Sequence, residues 1–324
     1  MKTIVSGMRP TGRLHLGNYF GALHNWVQHQ HDYRCHFFIA DWHALTTDYE
    51  NSASIDEHCR EMLIDWLSAG LDPEKAVMFK QSAVLEHAEL FLLLAMITPI
   101  AWLERCPTFK EQIKELEGRN INTFGFLGYP LLQAADILAY RADAVPVGED
   151  QAPHLEFTRE VVRRFNHLYK PIFPEPQTLL GCHTLVPGID GRKMSKSYDN
   201  YIHMAASPEE IREKSRRMLT DPQRARRSDP GRPEVCTVFH FQKIFNAARV
   251  PEIEAGCCSA GIGCVDCKAM LAEKLVEAIA PIYEKRKELE NKPQYLREVL
   301  EDGNKRAKKA AMVTLETVRD VMCL

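Results

Sequence analysis

The chain has 324 residues, 45% hydrophobic and 26% charged, with a formal net charge of −3. These values fit one large or two ordinary domains of a globular enzyme and exclude a global basic field, so any nucleic-acid contact has to come from local patches. The longest apolar run, from Leu90 to Leu103, contains Pro99, is too short to cross a bilayer and reads as a core helix.

No leader is expected, since the sequence reads directly into a strand at residues 2–6, where Ile4 and Val5 are β-branched. A loop with Gly7, Pro10, Gly12 and Gly17 follows, and from Tyr19 the apolar residues Phe20, Leu23 and Val27 recur at helical spacing. Strand, glycine-rich loop and helix suit phosphate binding: glycines let the backbone approach a ligand, and a helix start presents N–H groups to anions. The spacing matches neither the dinucleotide fingerprint nor the P-loop, so neither hydride transfer nor P-loop chemistry is implied.

Residues 35–40 read as a second buried strand. Ser54-Ile55-Asp56-Glu57 is a capping box that opens a helix to about Ala69, ending at Gly70. Residues 76–80 form a third strand. Residues 86–139 are mostly helical, 144–147 return to strand, 151–165 are a charged helix and 184–186 a last strand. This alternation predicts an α/β fold, a Rossmann-type doubly wound parallel sheet with a helical insertion at about 86–140. Ligands of such sheets sit at the carboxyl ends of the strands. After about Tyr201 the pattern is helical to the end, which predicts a catalytic domain over 1–200 and a C-terminal all-α domain over 201–324.

Two motifs stand at the ends of the α/β region. His15-Leu16-Gly17-Asn18 lies where the first helix opens, and Gly191-Arg192-Lys193-Met194-Ser195-Lys196-Ser197 follows the last predicted strand. Alone, each reads as a glycine turn or a solvated basic loop. Between them, Tyr129, Gln133 and Asp136 fall at i, i+4 and i+7, on one face of a helix. Polar groups on an inward face need partners, either one another or a ligand.

Together these motifs resemble the "HIGH" and "KMSKS" signatures of class I aminoacyl-tRNA synthetases. The Tyr-x-x-x-Gln-x-x-Asp pattern occurs in both tyrosyl- and tryptophanyl-tRNA synthetases. Val145-Pro146-Val147-Gly148-Glu149-Asp150-Gln151 and the residues after it resemble the tryptophanyl family, as do Ser6-Gly7-Met8-Arg9-Pro10-Thr11-Gly12, Ala40-Asp41-Trp42-His43-Ala44-Leu45-Thr46 and Gly188-Ile189-Asp190-Gly191-Arg192. The resemblance covers essentially the whole chain. A tyrosyl enzyme, or a non-catalytic synthetase-like RNA-binding protein, is the alternative.

The resemblance implies ATP-dependent attachment of L-tryptophan to tRNA(Trp), with Mg²⁺ accompanying the pyrophosphate, in a cytoplasmic homodimer. Arg9, Pro10, Thr11, Gly17 and Asn18 are then expected to line the ATP site, with His15 near the phosphates. Gly148, Glu149 and Asp150 hold the ribose and Val186 touches the adenine. Lys193, Met194, Ser195, Lys196 and Ser197 close over the phosphates, which Lys110 also contacts. His15, Asn18, Lys193 and Lys196 are the expected catalytic set. Asp136 is the expected acceptor for the indole N–H, a donor with no acceptor of its own. Tyr129, Gln151 and His43 are expected on the substrate amine and carboxylate. Gln133 departs from the family, where Met is common, and adds an amine contact to a modified pocket.

Of ten cysteines, Cys35, Cys59, Cys106, Cys182 and Cys323 are scattered and read as reduced, buried thiols. Cys236, Cys257, Cys264 and Cys267 give C-x₂₀-C-x₆-C-x₂-C, a metal-site pattern that suits either Zn²⁺ or an iron–sulfur cluster. Cys258 is a fifth thiol, able to stand in for Cys257. A subset of tryptophanyl enzymes carries a [4Fe–4S] cluster here with a similar Gly-Cys-Val-Asp-Cys ending, although its first gap is two residues longer. The segment 212–232 before Cys236 holds eight Lys/Arg against three Asp/Glu. Such a run is most often a solvated face; beside the cysteines it reads as an anticodon contact.

Overall fold

The predicted alternation of strand and helix is built as one parallel sheet in a computed structural model that describes residues 1–106, 123–148, 152–179 and 185–324. Strands β1 (Thr3–Met8), β2 (Arg34–Ile39), β3 (Ala76–Lys80), β4 (Ala144–Pro146) and β5 (Gln177–Leu179) lie in the order β3-β2-β1-β4-β5, every pair parallel. Strand order reverses between β1 and β4, which is where a doubly wound sheet opens a crevice for ligands.

Successive strand residues face opposite sides. Ile4, Phe37, Met78 and Ala144 enter one core, and Val5, Phe38, Phe79 and Val145 enter the other. On the first face lie α1 (Leu16–Asn18), a π-helical stretch (Tyr19–Leu23), α2 (His24–His29) and α4 (Ile55–Ser68). α3 (Asp41–Asp48) follows β2 directly. On the second face lie α5 (Glu86–Ala95), α6 (Ile100–Glu104), α7 (Phe124–Leu138) and α8 (Ala152–Leu168).

Beyond residue 200 the described chain is helical: α9 (Pro208–Arg217), α10 (Thr237–Phe245), α11 (Val250–Cys258), α12 (Cys264–Glu290) and α13 (Pro293–Met322). These helices share the cores of the sheet. Leu271, Leu275 and Ile279 of α12 join the first, and Ala307, Ala311 and Leu315 of α13 join the second. Where α13 crosses the edge strand β3, a Cβ on Gly303 would sit 1.8 Å from the Met78 carbonyl oxygen, so only glycine lets the helix come this close. The next residue, Asn304, accepts the Lys80 N–H at 2.9 Å, which covers an otherwise open sheet edge.

The structure corrects several expectations. The first helix starts at Leu16, three residues before Tyr19, because His15 caps it. Ser54 makes no capping box. Its backbone is already helical after a 3₁₀ turn, whereas a cap needs an extended residue, and its hydroxyl donates instead to Asn51 O at 3.3 Å. The run from Leu90 to Leu103 is two helices: α5 ends at Ala95, and the extended Pro99 starts α6. Leu92, Met96 and Ile100 on these helices are exposed rather than core. Leu185 and Val186 belong to no strand, and Thr184 lies outside the described residues. The fifth strand is Gln177–Leu179, too short for an alternating pattern to betray it. Cys35, Cys59 and Cys106 are buried, but Cys323 is exposed because it closes the last helix in a left-handed conformation. Cys182 lies outside the described residues.

Candidate active site

The loop after β1 ends in a reciprocal cap. His15 is extended, its Nδ1 accepts the Asn18 N–H at 3.2 Å, and Asn18 Oδ1 accepts the His15 N–H at 3.1 Å. Histidine and asparagine three positions apart thus do the work of a Ser…Glu capping box. The loop also pairs antiparallel with the segment after the lysine motif: Leu16 N–H donates to Ile202 O at 2.9 Å and Met204 N–H to Leu14 O at 3.0 Å. Burial, Lys196 and His203 bring the His15 pKa down to about 4, so the ring is neutral near pH 7, as an accepting Nδ1 requires.

The lysine loop is shaped by Asn200, which is buried. Its Oδ1 accepts the Ser195 N–H at 2.8 Å, and its Nδ2 donates to Lys193 O at 3.0 Å and to Asp190 Oδ1 at 2.8 Å. The loop reaches the first motif in two places. Gly17 N–H points at Met194 Sδ, 3.3 Å away across 177 positions of sequence, and Lys196 Nζ donates to the Thr11 carbonyl. Burial lowers the pKa of Lys196, with Asp65 pulling the other way.

Beside this junction a cavity of about 580 Å³ opens at the carboxyl ends of β1, β2 and β4. Arg9, Thr11, Gly17, Asn18, His43, Tyr129, Gln133, Asp136 and Gly148 all line it. The predicted trio of α7 therefore does face one space. Pro10 and Val186 are buried outside that lining, and neither His15 nor the segment from Lys193 to Ser197 is part of it. Lys110, Glu149, Asp150 and Gln151 lie outside the described residues.

Asp136 is fully buried and held by three side chains. His43 Nε2 lies 2.8 Å from Oδ2, and Gln81 Nε2 and His87 Nδ1 lie 2.7 Å and 2.6 Å from Oδ1. Burial alone would push its carboxyl up; the hydrogen bonds from His43 and His87 outweigh it and bring the pKa to about 2. An ionised carboxylate only accepts, so both imidazole nitrogens facing it must donate. His87 Nε2 in turn lies 2.7 Å from the Tyr140 hydroxyl, whose pKa burial raises well above the ordinary tyrosine range. Tyr129 Oη contacts His154 Nε2 at 3.2 Å. A second cavity, about 470 Å³ and apolar, shares Thr46 with the first and is lined by Trp42, Leu45, Phe91 and Phe124.

The four cysteines of the spaced motif converge between α10, α11 and α12. Burial raises Cys267 to about 11, and Cys236, Cys257 and Cys264 are near enough to add to it. Arg224 Nη1 lies 3.8 Å from Cys257 Sγ, and Gln242 Nε2 lies 3.6 Å from Cys267 Sγ. A Cβ on Gly231 would sit 2.6 Å from Cys257 Sγ, so this glycine leaves the sulfur its room. Cys258 is exposed. Among the described residues no three or more His, Cys, Asp or Glu side chains form a group that could hold a metal ion. The basic segment before them is largely spoken for: Arg212 pairs with Glu273, Lys214 and Arg217 with Asp199, Arg227 with Asp266 and Arg232 with Asp221.

Residues 1–280 match the family described as tRNA synthetases class I (W and Y). The chain belongs to this family. A tryptophan–tRNA ligase of Thermotoga maritima is 49% identical over 324 residues, covering 99% of each chain. One of Aquifex aeolicus is 45% identical over 392 residues, again covering 99% of each. Among solved structures, a tryptophanyl-tRNA synthetase from Campylobacter jejuni complexed with ADP and tryptophane superposes with a TM-score of 0.90 at 32% identity, over 100% of both chains.

Sequence reasoning missed four residues of the synthetase's site: Asn200, which shapes the lysine loop, and Gln81, His87 and Tyr140 around Asp136. Gln81 follows β3 directly, so its place at a strand's carboxyl end was a usable signal. His87 and Tyr140 sit among apolar residues, where nothing in the pattern distinguishes a partner of a carboxylate from an ordinary core residue.

Proposed function

We infer that the synthetase activates L-tryptophan with ATP and transfers it to tRNA(Trp). What carries the reading is one juxtaposition: Gly17 meets Met194 beside the cavity that Asp136 lines. In the first step a carboxylate oxygen of tryptophan attacks the α-phosphorus of ATP, the bond to pyrophosphate breaks, and tryptophanyl-adenylate forms. In the second, a ribose hydroxyl of the terminal adenosine attacks the carbonyl carbon and AMP leaves. Such transfers need positioning and charge neutralisation rather than covalent help from the protein.

In this reading Arg9, Pro10, Thr11, Gly17 and Asn18 cradle the nucleotide, and neutral His15 supports the helix start and offers a hydrogen bond. Lys193 and Lys196 meet the phosphates as mobile point charges, with Met194, Ser195 and Ser197 forming the loop that carries them. Lys110 adds a further charge, Gly148, Glu149 and Asp150 hold the ribose, and Val186 backs the adenine. Asp136 takes the indole N–H on the oxygen it shares with His43. Tyr129, Gln133, Gln151 and His43 orient the amino acid. Asp136 is the one carboxylate lining the cavity among the described residues, and it is already engaged. Mg²⁺ is expected to travel with the phosphates, as this ion commonly does.

The four cysteines suit a [4Fe–4S] cluster better than Zn²⁺. Four thiolates alone suit either; the Gly263-Cys264-Val265-Asp266-Cys267 ending, similar to that of the cluster-bearing subset of the family, favours iron, and the four thiols are near enough to feel one another's charge. The room at Gly231 and the N–H donors of Arg224 and Gln242 fit sulfur ligands. Bound, the cluster would cross-link the segments around α10 to α12. Anaerobic purification with iron, sulfide and zinc assays tests this: four irons per chain are expected, and stoichiometric zinc contradicts it.

The division into a catalytic part over 1–200 and an anticodon-reading part over 201–324 belongs to the same reading, as do a cytoplasmic location and a homodimer. No helix among the described residues is long and apolar enough to cross a membrane. The dimer is supported by four large apolar side chains on or beside α5, α6 and α7, Leu92, Met96, Ile100 and Phe124, all more than half exposed. Sedimentation of the wild-type chain and of Met96→Glu separates dimer from monomer. ATP–pyrophosphate exchange tests the reaction itself: it is expected with tryptophan and not with tyrosine or phenylalanine. Exchange with tyrosine would reverse the specificity, and none at all would favour a non-catalytic RNA-binding role.

A further inference from the structure

Asp65 of α4 lies outside every motif, yet it is 1% exposed and touches the nucleotide loop. Its Oδ2 accepts the Leu14 N–H at 2.6 Å. Its Oδ1 accepts from Nη1 of Arg286 on α12, a guanidinium only 2% exposed, whose Nη2 donates to Glu61 and whose Nε lies 2.9 Å from Glu290 Oε1. The Leu14 peptide is thus gripped on both sides, its N–H by Asp65 and its C=O by Met204. The next residue is His15, which caps the helix start. Asp65 also acts electrostatically on Lys196, the lysine that reaches Thr11 in the same loop.

A buried ion pair is a costly way to hold two helices together, since well-packed apolar residues often do as well or better. An apolar pair would leave the Leu14 N–H unsatisfied and would not act on Lys196. We propose that Asp65, held in place by Arg286, is a positioning residue for ATP: it fixes the Leu14–His15 turn against which both nucleotide loops meet. The proposal rests on the reading of those loops as the nucleotide site.

The test compares two double variants in ATP–pyrophosphate exchange, with thermal unfolding measured alongside. Asp65→Leu/Arg286→Met removes the buried charges and the acceptor together; Glu61 keeps Arg60, 3.3 Å away. Asp65→Asn/Arg286→Met removes the charges but leaves an oxygen for the Leu14 N–H. Both are expected to fold. The leucine variant should lose about 10–100-fold in kcat/KM for ATP, the scale of a misplaced reacting group, while KM for tryptophan moves less than about threefold. The asparagine variant should recover most of the ATP loss.

Equal effects on ATP and tryptophan, an unchanged leucine variant, or no rescue by asparagine would each overturn the proposal. If the leucine variant does not fold, Asp65→Ala/Arg286→Met, which adds no bulk, takes its place; if that too fails to fold while asparagine folds, the acceptor serves folding rather than positioning and the proposal falls. Exchange by the wild-type chain is the control: its absence would refute the nucleotide reading, whereas its presence with an indifferent Asp65 would refute this inference alone.

Discussion

Asp136 and Asp65 are both closed off from water, one on each face of the sheet, and they ionise in opposite directions. Burial pushes both carboxyls up. At Asp136 the hydrogen bonds from His43 and His87 outweigh it and the pKa falls to about 2, whereas at Asp65 burial prevails over Arg286 and the Leu14 N–H. Their surroundings differ in kind. Asp136 borders a cavity and is held by side chains that donate without filling the space in front of it. Asp65 lines neither of the two cavities and is matched by a guanidinium. In the reading proposed above, the first receives a donor from outside and the second braces a loop from within.

That contrast is broken most severely from the braced side. Arg286→Met alone leaves Asp65 as an uncompensated buried charge and is expected to lower stability by about 3–5 kcal/mol, read as a lower urea midpoint at unchanged slope. On the open side, Asp136→Asn keeps the shape but presents the wrong groups to indole and to its own donors. A loss of about 100-fold in kcat/KM for tryptophan is expected, with KM for ATP nearly unchanged in steady-state exchange. His87→Gln breaks the link from Tyr140 to Asp136 and should cost about 3–10-fold in the same parameter, one ordinary hydrogen bond.

The smallest effect concerns His15. Its folded pKa of about 4 lies below the unfolded value of 6.5. Between those values the unfolded chain binds a proton that the folded chain refuses, so stability falls as pH drops from 6.5 to 4. His15→Gln should flatten that part of the profile relative to wild type, as measured by melting temperatures at pH 7, 5.5 and 4.5. A profile unchanged by the substitution would mean that the ring is not buried against Lys196 and His203.

The same contrast explains what the sequence made legible. Residues 76–80 were readable as a strand because a short apolar run, Ala76 to Phe79, follows the turn residues Asp72 and Pro73, and Tyr129, Gln133 and Asp136 because a fixed helical period puts them on one face. Glycine-rich loops advertise closeness to a ligand. Asp65 and Arg286 advertised nothing: they are 221 positions apart, and each looks like a surface charge of an amphipathic helix until tertiary packing closes over it. Gln177–Leu179 was hidden because three residues carry no period, and the Ser54 cap was misread because the chain enters α4 through a 3₁₀ turn.

The central claim is that Asp136 reads the indole N–H. The most direct measurement is pyrophosphate exchange with tryptophan against its benzothiophene analogue, in which sulfur replaces the N–H at nearly constant shape. A site built around that hydrogen bond should prefer tryptophan by about 10⁴–10⁵-fold in kcat/KM, because the analogue sets a sulfur with no proton to give against Asp136 Oδ2. Discrimination of tenfold or less would contradict the account and make Asp136 a partner of His43, Gln81 and His87 alone.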